Sequence, residues 1–154
     1  MFAPDEARGR FVISTDPARL DVSAVHAYLS RSYWAEGIPR EIVARALAGS
    51  LCFGLYLDDR QIGLARVITD RATYAYFCDV YVVDEFRGQG LGRWLLDCVM
   101  HHPDLQGLRR FSLVTRDAHR LYTPLGFAPL TQPERHMEIA RPGLDLEQGP
   151  IAEA

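Results

Sequence analysis

Three glycines on alternate positions, Gly88, Gly90 and Gly92, join two apolar runs of different period. The run before them, Phe77 to Val83, is β-branched and aromatic, with Val80 and Val82 on one side, which predicts a strand. The run after them is apolar at Leu91, Leu95, Cys98 and Val99, which is helical spacing. The first N–H groups of a helix have no intrahelical partner, and the helix dipole makes that end positive. Glycine removes the Cβ that would keep an anion away from those donors. The stretch Arg87-Gly88-Gln89-Gly90-Leu91-Gly92-Arg93 is therefore built to hold a pyrophosphate or a similar anion. Its spacing weighs against two other phosphate-binding designs. No G-x-x-x-x-G-K-[ST] is present, so it is not a P-loop. The glycines run G-x-G-x-G, and no acidic residue follows a second parallel strand about 20 residues on, which argues against a dinucleotide fold.

The elements that must position this loop follow from the rest of the chain. At 154 residues it is long enough for one core without staples. With 48% hydrophobic and 24% charged residues it falls in the globular class, not the disordered one. A net charge of -3 argues against general attraction to nucleic acid or a membrane. Cys52, Cys78 and Cys98 lie in apolar patterns without a C-x-x-C, and read as small hydrophobes of a reducing compartment. Met1 to Arg10 contains no apolar run, so neither a signal peptide nor a membrane span is expected, and the expected location is cytoplasmic. His101 and His102 diverge on a helix with no third ligand at zinc spacing. They predict a solvated helix end, and no metal site is expected.

In order, the patterns predict a strand at Arg10–Ser14 and a helix from Asp21, its N-cap, to Leu29, with Val22, Val25 and Leu29 on one face. A loop follows from Ser30 to Ile38. Pro39 at a first helical position and Gly49 bracket a second helix with Ile42, Ala46 and Leu47 inward. Leu51–Leu57 and Gln61–Ile68 form a hairpin over Asp58 to Arg60. Then come the strand from Tyr74 to Val83, the helix after the glycines to about Met100, and a strand at Phe111–Thr115. A short helix capped by Asp117 is closed by Pro124 and Gly126. Strand-like pieces lie at Ala128–Leu130 and His136–Ala140. Strands alternate with helices only in the second half, which predicts an α+β chain of three layers, an α/β-type arrangement. Its mixed, mostly antiparallel central sheet has about six or seven strands, flanked by about four helices. The expected organisation is an N-terminal extension over residues 1–9, a single domain over 10–140 and a loose acidic tail over 141–154.

Arg87, Gly90 and Gly92 after a Val-rich strand form R-x-x-G-x-G. Further on, Ala118-His119-Arg120-Leu121-Tyr122-Thr123-Pro124-Leu125-Gly126-Phe127 fits A-x-x-L-Y-x-x-x-G-F. On these two motifs, one strand apart, and on the element order from about Arg10 to Ala140, the chain resembles the GNAT superfamily of acyl-CoA-dependent N-acetyltransferases. It is similar to a short, mostly bacterial subgroup with unassigned acceptors. The resemblance implies acetyl-CoA as co-substrate, no metal, and transfer of acetyl to a primary amine of a small molecule or peptide by direct attack in a ternary complex. A non-catalytic acyl-CoA-binding module is the alternative of a different class. The expected assembly is a monomer or homodimer.

Carried over by position, the loop from Arg87 to Arg93 takes the pyrophosphate, the Val82 backbone pairs with pantetheine, and donors from Val80 to Val82 face the thioester oxygen. Thr115 stands where the family often has a cofactor-binding Asn. Tyr122 falls on the tyrosine that protonates the CoA sulfur, and a phenol near pKa 10 remains protonated at pH 7. The positions of the usual base hold Cys78 and Tyr76. Asp79 and His119 are the remaining candidates for that role. Tyr33 and Trp34 are candidates for the acceptor wall, which the family forms from its first two helices and their loop. Arg66, Asp70 and Arg116 are further polar groups near strand ends, open between substrate contact and ion pair.

Overall fold

The computed structural model describes residues 3–143. Six strands form one sheet in the order β1-β2-β3-β4-β5-β6. They are β1 (Glu6–Arg8), β2 (Phe11–Ser14), β3 (Leu51–Leu57), β4 (Arg60–Thr69), β5 (Tyr74–Val82) and β6 (Arg110–Leu113). Every neighbouring pair is antiparallel except β5 and β6. Helices α1 (Val22–Leu29), α2 (Arg40–Ala48), α3 (Leu91–His101) and α4 (His119–Tyr122) complete the mixed α+β architecture expected from the sequence.

Two apolar layers hold the helices to the sheet. The α3 stripe of Leu91, Trp94, Leu95, Leu96 and Val99 is buried with Phe53, Leu55, Ile62, Val67 and Phe77. Each such large side chain contributes about 1.5–3 kcal/mol on burial. On the opposite face Val25 and Leu29 of α1 and Val43 and Leu47 of α2 close over Cys52, Leu64 and Tyr81. Adjacent residues of a strand point to opposite faces, so Cys52 and Phe53, or Leu64 and Ala65, feed different layers. This explains why β3 and β4 are almost continuously apolar rather than alternating.

Local chemistry sets the element ends. The Asp21 carboxylate accepts from the Ala24 N–H at 3.0 Å and starts α1. In α2, Pro39 is the N-cap residue itself, one position before the helix, and Val43 lies deeper than the expected Ile42 and Ala46. Several expectations need correction. β1 lies within the stretch expected as an extension. Its three residues are exposed and so carry no apolar pattern. β6 is four residues long and stops at Leu113. No strand forms at Ala128–Leu130, where Pro129 lacks a donor, or at His136–Ala140, which pairs with no described strand. The α4 N-cap is Ala118, because Asp117 pairs with Arg116 at 3.1 Å instead.

His102 is buried, not solvated. Its ring meets Phe53 edge-on at 5.3 Å, and its Nδ1 accepts from the Asp104 N–H at 3.0 Å. Most of the expected tail, from residue 144 onward, lies outside the described residues. Among the described residues no helix is long and apolar enough to cross a membrane, and no group of three or more His, Cys, Asp or Glu is placed to hold a metal ion.

Candidate active site

β5 and β6 run in parallel and pair from Tyr74 with Arg110 to Phe77 with Leu113. There β6 ends, while β5 continues from Cys78 to Val82 and presents a free edge. The same stretch is bent by a bulge. Leu64 pairs with Tyr81 and Arg66 with Cys78, so Ala65 alone lies opposite both Asp79 and Val80. Asp79 carries φ +50°, a left-handed conformation that aspartate tolerates better than most residues. The Val83 N–H bonds the Ile62 carbonyl at 2.8 Å. Backbone groups alternate edges along a strand, so those of Val82 face away from β4, toward the split. The Val82 carbonyl there accepts from Arg87 Nε at 3.1 Å, which leaves its N–H as the available group.

Side chains hold the bulge in place. Asp79 Oδ2 accepts from Arg66 Nε at 2.7 Å and its Oδ1 from Trp34 Nε1 at 2.8 Å. The Arg66 and Asp79 side chains retain only 16% and 12% exposure, and Arg66 Nη1 also donates to Ser50 Oγ at 3.1 Å. Both oxygens of Asp79 are thus engaged, one by a guanidinium and one by an indole N–H. Trp34 meets Tyr33 edge-on at 5.1 Å. The Arg116 guanidinium lies 3.8 Å from the Tyr33 ring centre, a cation–π contact. The loop between α1 and α2 is therefore tied both to the bulge and to the segment after β6.

These residues enclose a cavity of about 780 Å³ whose lining includes Tyr33, Trp34, Arg66, Tyr76, Cys78, Asp79, Val80, Thr115 and Tyr122. Tyr122 is buried against Phe127, ring centres 5.8 Å apart, and burial, then Tyr33 and Cys78 nearby, push its hydroxyl up to about 12. It stays protonated throughout the neutral range. Burial likewise pushes Cys78 up to about 11, so it is a thiol and not a thiolate nucleophile. The Thr115 hydroxyl accepts from the Ala118 N–H at 3.0 Å and keeps its own proton for another acceptor. His119 is exposed and does not line this cavity; it lines a smaller one beyond Tyr122. Asp70 lies elsewhere, accepting from Thr73 and the N–H groups of Ala72 and Tyr74 in a turn.

A second cavity of about 420 Å³ shares Tyr33, Trp34, Val80, Arg116 and Asp117 with the first and ends on Arg87. Arg87 donates to the Tyr28 hydroxyl at 2.6 Å, and Gln89 Nε2 folds back onto the Phe86 carbonyl at 3.2 Å. Gly88 and Gly90 adopt φ +83° and +81°, with nothing within 4 Å of an added Cβ. Gly90 caps α3 without a side chain, and the Trp94 N–H is the first bonded back, to the Gly90 carbonyl at 3.1 Å. The N–H groups of Leu91, Gly92 and Arg93 consequently have no partner within the helix, and Arg93 beside them is exposed.

Residues 48–129 match the Acetyltransferase (GNAT) domain family. The chain belongs to this acetyltransferase family. A GNAT-family protein from Xanthomonas campestris pv. campestris has a crystal structure that superposes with a TM-score of 0.86 at 50% identity, over 90% of this chain and 98% of that one. A protein of Gibberella zeae, provisionally named an acetyltransferase, is 38% identical over 75% of this chain and 77% of its own. A Clostridium acetobutylicum protein described as a predicted acetyltransferase with acetyl-CoA shares the fold, with a TM-score of 0.62 at 18% identity, over 84% of this chain and 94% of that one.

In this GNAT enzyme the fold brings Tyr122, Thr115, the bulge and the Tyr33–Trp34 loop around one cavity, and sets the glycine loop at the end of the adjoining one. Sequence reasoning missed Glu36, which lines the cavity, is exposed and has no ion-pair partner among the described residues. Its only signal was its place beside the two aromatics. Arg66 and Arg116, left open before, are resolved as partners of Asp79 and Asp117.

Proposed function

We propose that the chain transfers acetyl from acetyl-CoA to a primary amine of a small molecule or peptide, by direct attack in a ternary complex. The observation that carries this reading is the pair of adjoining cavities along the free edge of β5, with Tyr122 in one and Arg87 at the end of the other. The N–H groups of Leu91 to Arg93, with Gly88, Gln89, Gly90 and Arg93 around them, hold the pyrophosphate. The Val82 N–H, on the same free edge, bonds the pantetheine arm, and the Thr115 hydroxyl gives it a further contact.

Acetyl-CoA supplies the activated carbonyl, and the residues of this chain do the rest. The amine enters past Tyr33 and Trp34, which wall the cavity, sheds any ammonium proton to solvent and attacks as the neutral form. Asp79 and Asp117 are neutralised by Arg66 and Arg116, so Glu36 remains as the attractive charge. Attack forms the C–N bond while the C–S bond breaks. The carbonyl oxygen gains charge, which a backbone donor of the bulge at Val80 stabilises. Tyr122 gives its proton to the departing sulfur. The proton lost by the amine nitrogen passes to water beside Glu36, and water returns a proton to Tyr122, so the products are the amide and the CoA thiol. Asp79 acts as a positioning group for Trp34, and His119 has no part in the step.

The test is an acetyl-transfer assay over a panel of primary amines, with free CoA and acetylated amine both quantified. Equal release of the two supports the reading. CoA binding without transfer to any amine would favour a cofactor-sensing module instead.

A further inference from the structure

We infer that a cavity between α1, α2 and the turn after α3 binds a small uncharged molecule with an apolar body and a carbonyl oxygen. The cavity holds about 400 Å³, a size typical of small-molecule sites. Its lining has no residue in common with the two cavities of the candidate active site. Leu20 and Val22 at the start of α1, Ala44 and Leu47 of α2, and Leu51 of β3 form its apolar wall. The facing side is polar and carries His102, Arg71 and Asp104.

His102 is the group that asks for a partner. It is 7% exposed, and its Nδ1 is occupied by the Asp104 N–H at 3.0 Å. Nδ1 is thus the acceptor, and Nε2 carries the ring proton. That N–H has no hydrogen-bond partner among the described residues, and it is not sealed in the core, because the ring lines the cavity. Buried donors are ordinarily paired, so an unpaired one at a cavity wall marks a place for an acceptor. Thr15 lines the same cavity, and its Oγ1 is buried with no partner among the described residues.

Charge decides the class of ligand. Arg71 is paired with Asp104, and burial lowers the His102 pKa, so the ring is neutral at neutral pH. Neither a carboxylate nor an ammonium therefore meets a free counter-charge in this lining. Ser50 and Cys52 turn their own protons to the Ala46 and Leu47 carbonyls, at 2.8 and 3.6 Å. Donors are left in excess, beside walls of hydrocarbon. A carbonyl oxygen satisfies the His102 N–H without burying a charge, and an apolar body covers the leucines.

The inference does not depend on acetyl transfer, and its test does not read it. Acetophenone is the probe, with benzoate and benzamidinium as anionic and cationic matches of its ring. Titrated into full-length nitrogen-15 protein, acetophenone should shift the His102 Nε2 resonance and the Leu20, Ala44 and Leu51 amides saturably, with a Kd of about 1 mM. The charged matches should bind about tenfold more weakly or worse. Saturating acetyl-CoA should leave the acetophenone titration unchanged, which separates this cavity from the candidate active site. Ala44→Phe and Ala48→Phe each bring a ring into the cavity from α2, and should weaken acetophenone about tenfold while keeping the wild-type far-ultraviolet spectrum. The absence of a saturable shift at His102 would overturn the inference. So would equal binding of the charged probes, displacement by acetyl-CoA, or a folded variant that binds acetophenone as tightly as wild type.

Discussion

Tyr122 carries the most chemistry of any single side chain, and its environment decides what it can do. Burial pushes the hydroxyl up to about 12, so it stays protonated across the physiological range. Tyr122→Phe keeps the ring against Phe127 and removes only that proton. Single-turnover acetyl transfer should fall about 10²- to 10⁴-fold, with acetyl-CoA affinity and Tm near wild type. No loss of rate, with chemistry limiting, would remove the acid from Tyr122. His102 makes the opposite case, a titratable group that serves folding. Burial lowers its pKa, so the unfolded chain binds the proton more readily. The stability it contributes is present above the ordinary imidazole pKa of about 6.5 and is lost as pH falls through the lower folded value. His102→Asn retains an acceptor for the Asp104 N–H without titrating. Its Tm should fall less than that of wild type between pH 7 and 5, and parallel declines would contradict the assignment. The role proposed for Tyr122 was legible because ten consecutive residues carry its motif. The burial of His102 was not, since only the packing of Phe53 from a distant strand determines it.

At the scale of elements, helix and strand periods were legible wherever one face is buried, as in α3 and β3. They were not legible at β1, whose exposed residues have no face to reveal, nor at the bulge, where one extra residue changes register without a compositional mark. The bulge is nevertheless the element on which the cavity depends. Asp79→Asn keeps a residue that tolerates φ +50° but leaves the buried Arg66 without its counter-charge. Breaking a buried pair typically costs about 3–5 kcal/mol. A Tm decrease is expected, together with a raised acceptor KM, because the amide offers one oxygen where Arg66 and Trp34 each have one in the native site. Unchanged stability would mean that Arg66 is adequately solvated without Asp79. The glycine loop is the second sensitive element. Gly90→Asp adds a side chain at φ +81° and a negative charge beside the unpaired N–H groups. It should weaken acetyl-CoA binding at least tenfold while the acceptor site is left intact, and isothermal titration would measure this. Wild-type affinity in the variant would move the pyrophosphate elsewhere.

At the scale of the whole molecule, the middle strands of the sheet are buried between two apolar layers, and β5 and β6 part at one side of it. The cofactor is proposed to lie across that weak line, touching β5, the start of α3 and the segment after β6. A ligand that binds only the native state raises stability by RT ln(1 + [L]/Kd), about 2.7 kcal/mol at a hundredfold excess over Kd. For a chain of this size that is about 5–10 °C in Tm. Acetyl-CoA should give such a shift, and S-acetylpantetheine, which lacks the pyrophosphate, should give much less at equal concentration. The difference between them isolates the contribution of the glycine loop. The shift should also grow with the logarithm of ligand concentration, which separates linkage from a non-specific salt effect that would act equally through inorganic pyrophosphate and chloride of matched ionic strength. Equal shifts from acetyl-CoA and S-acetylpantetheine would show that the split between β5 and β6 is closed by the pantetheine arm alone. The loop from Arg87 to Arg93 would then be a structural turn.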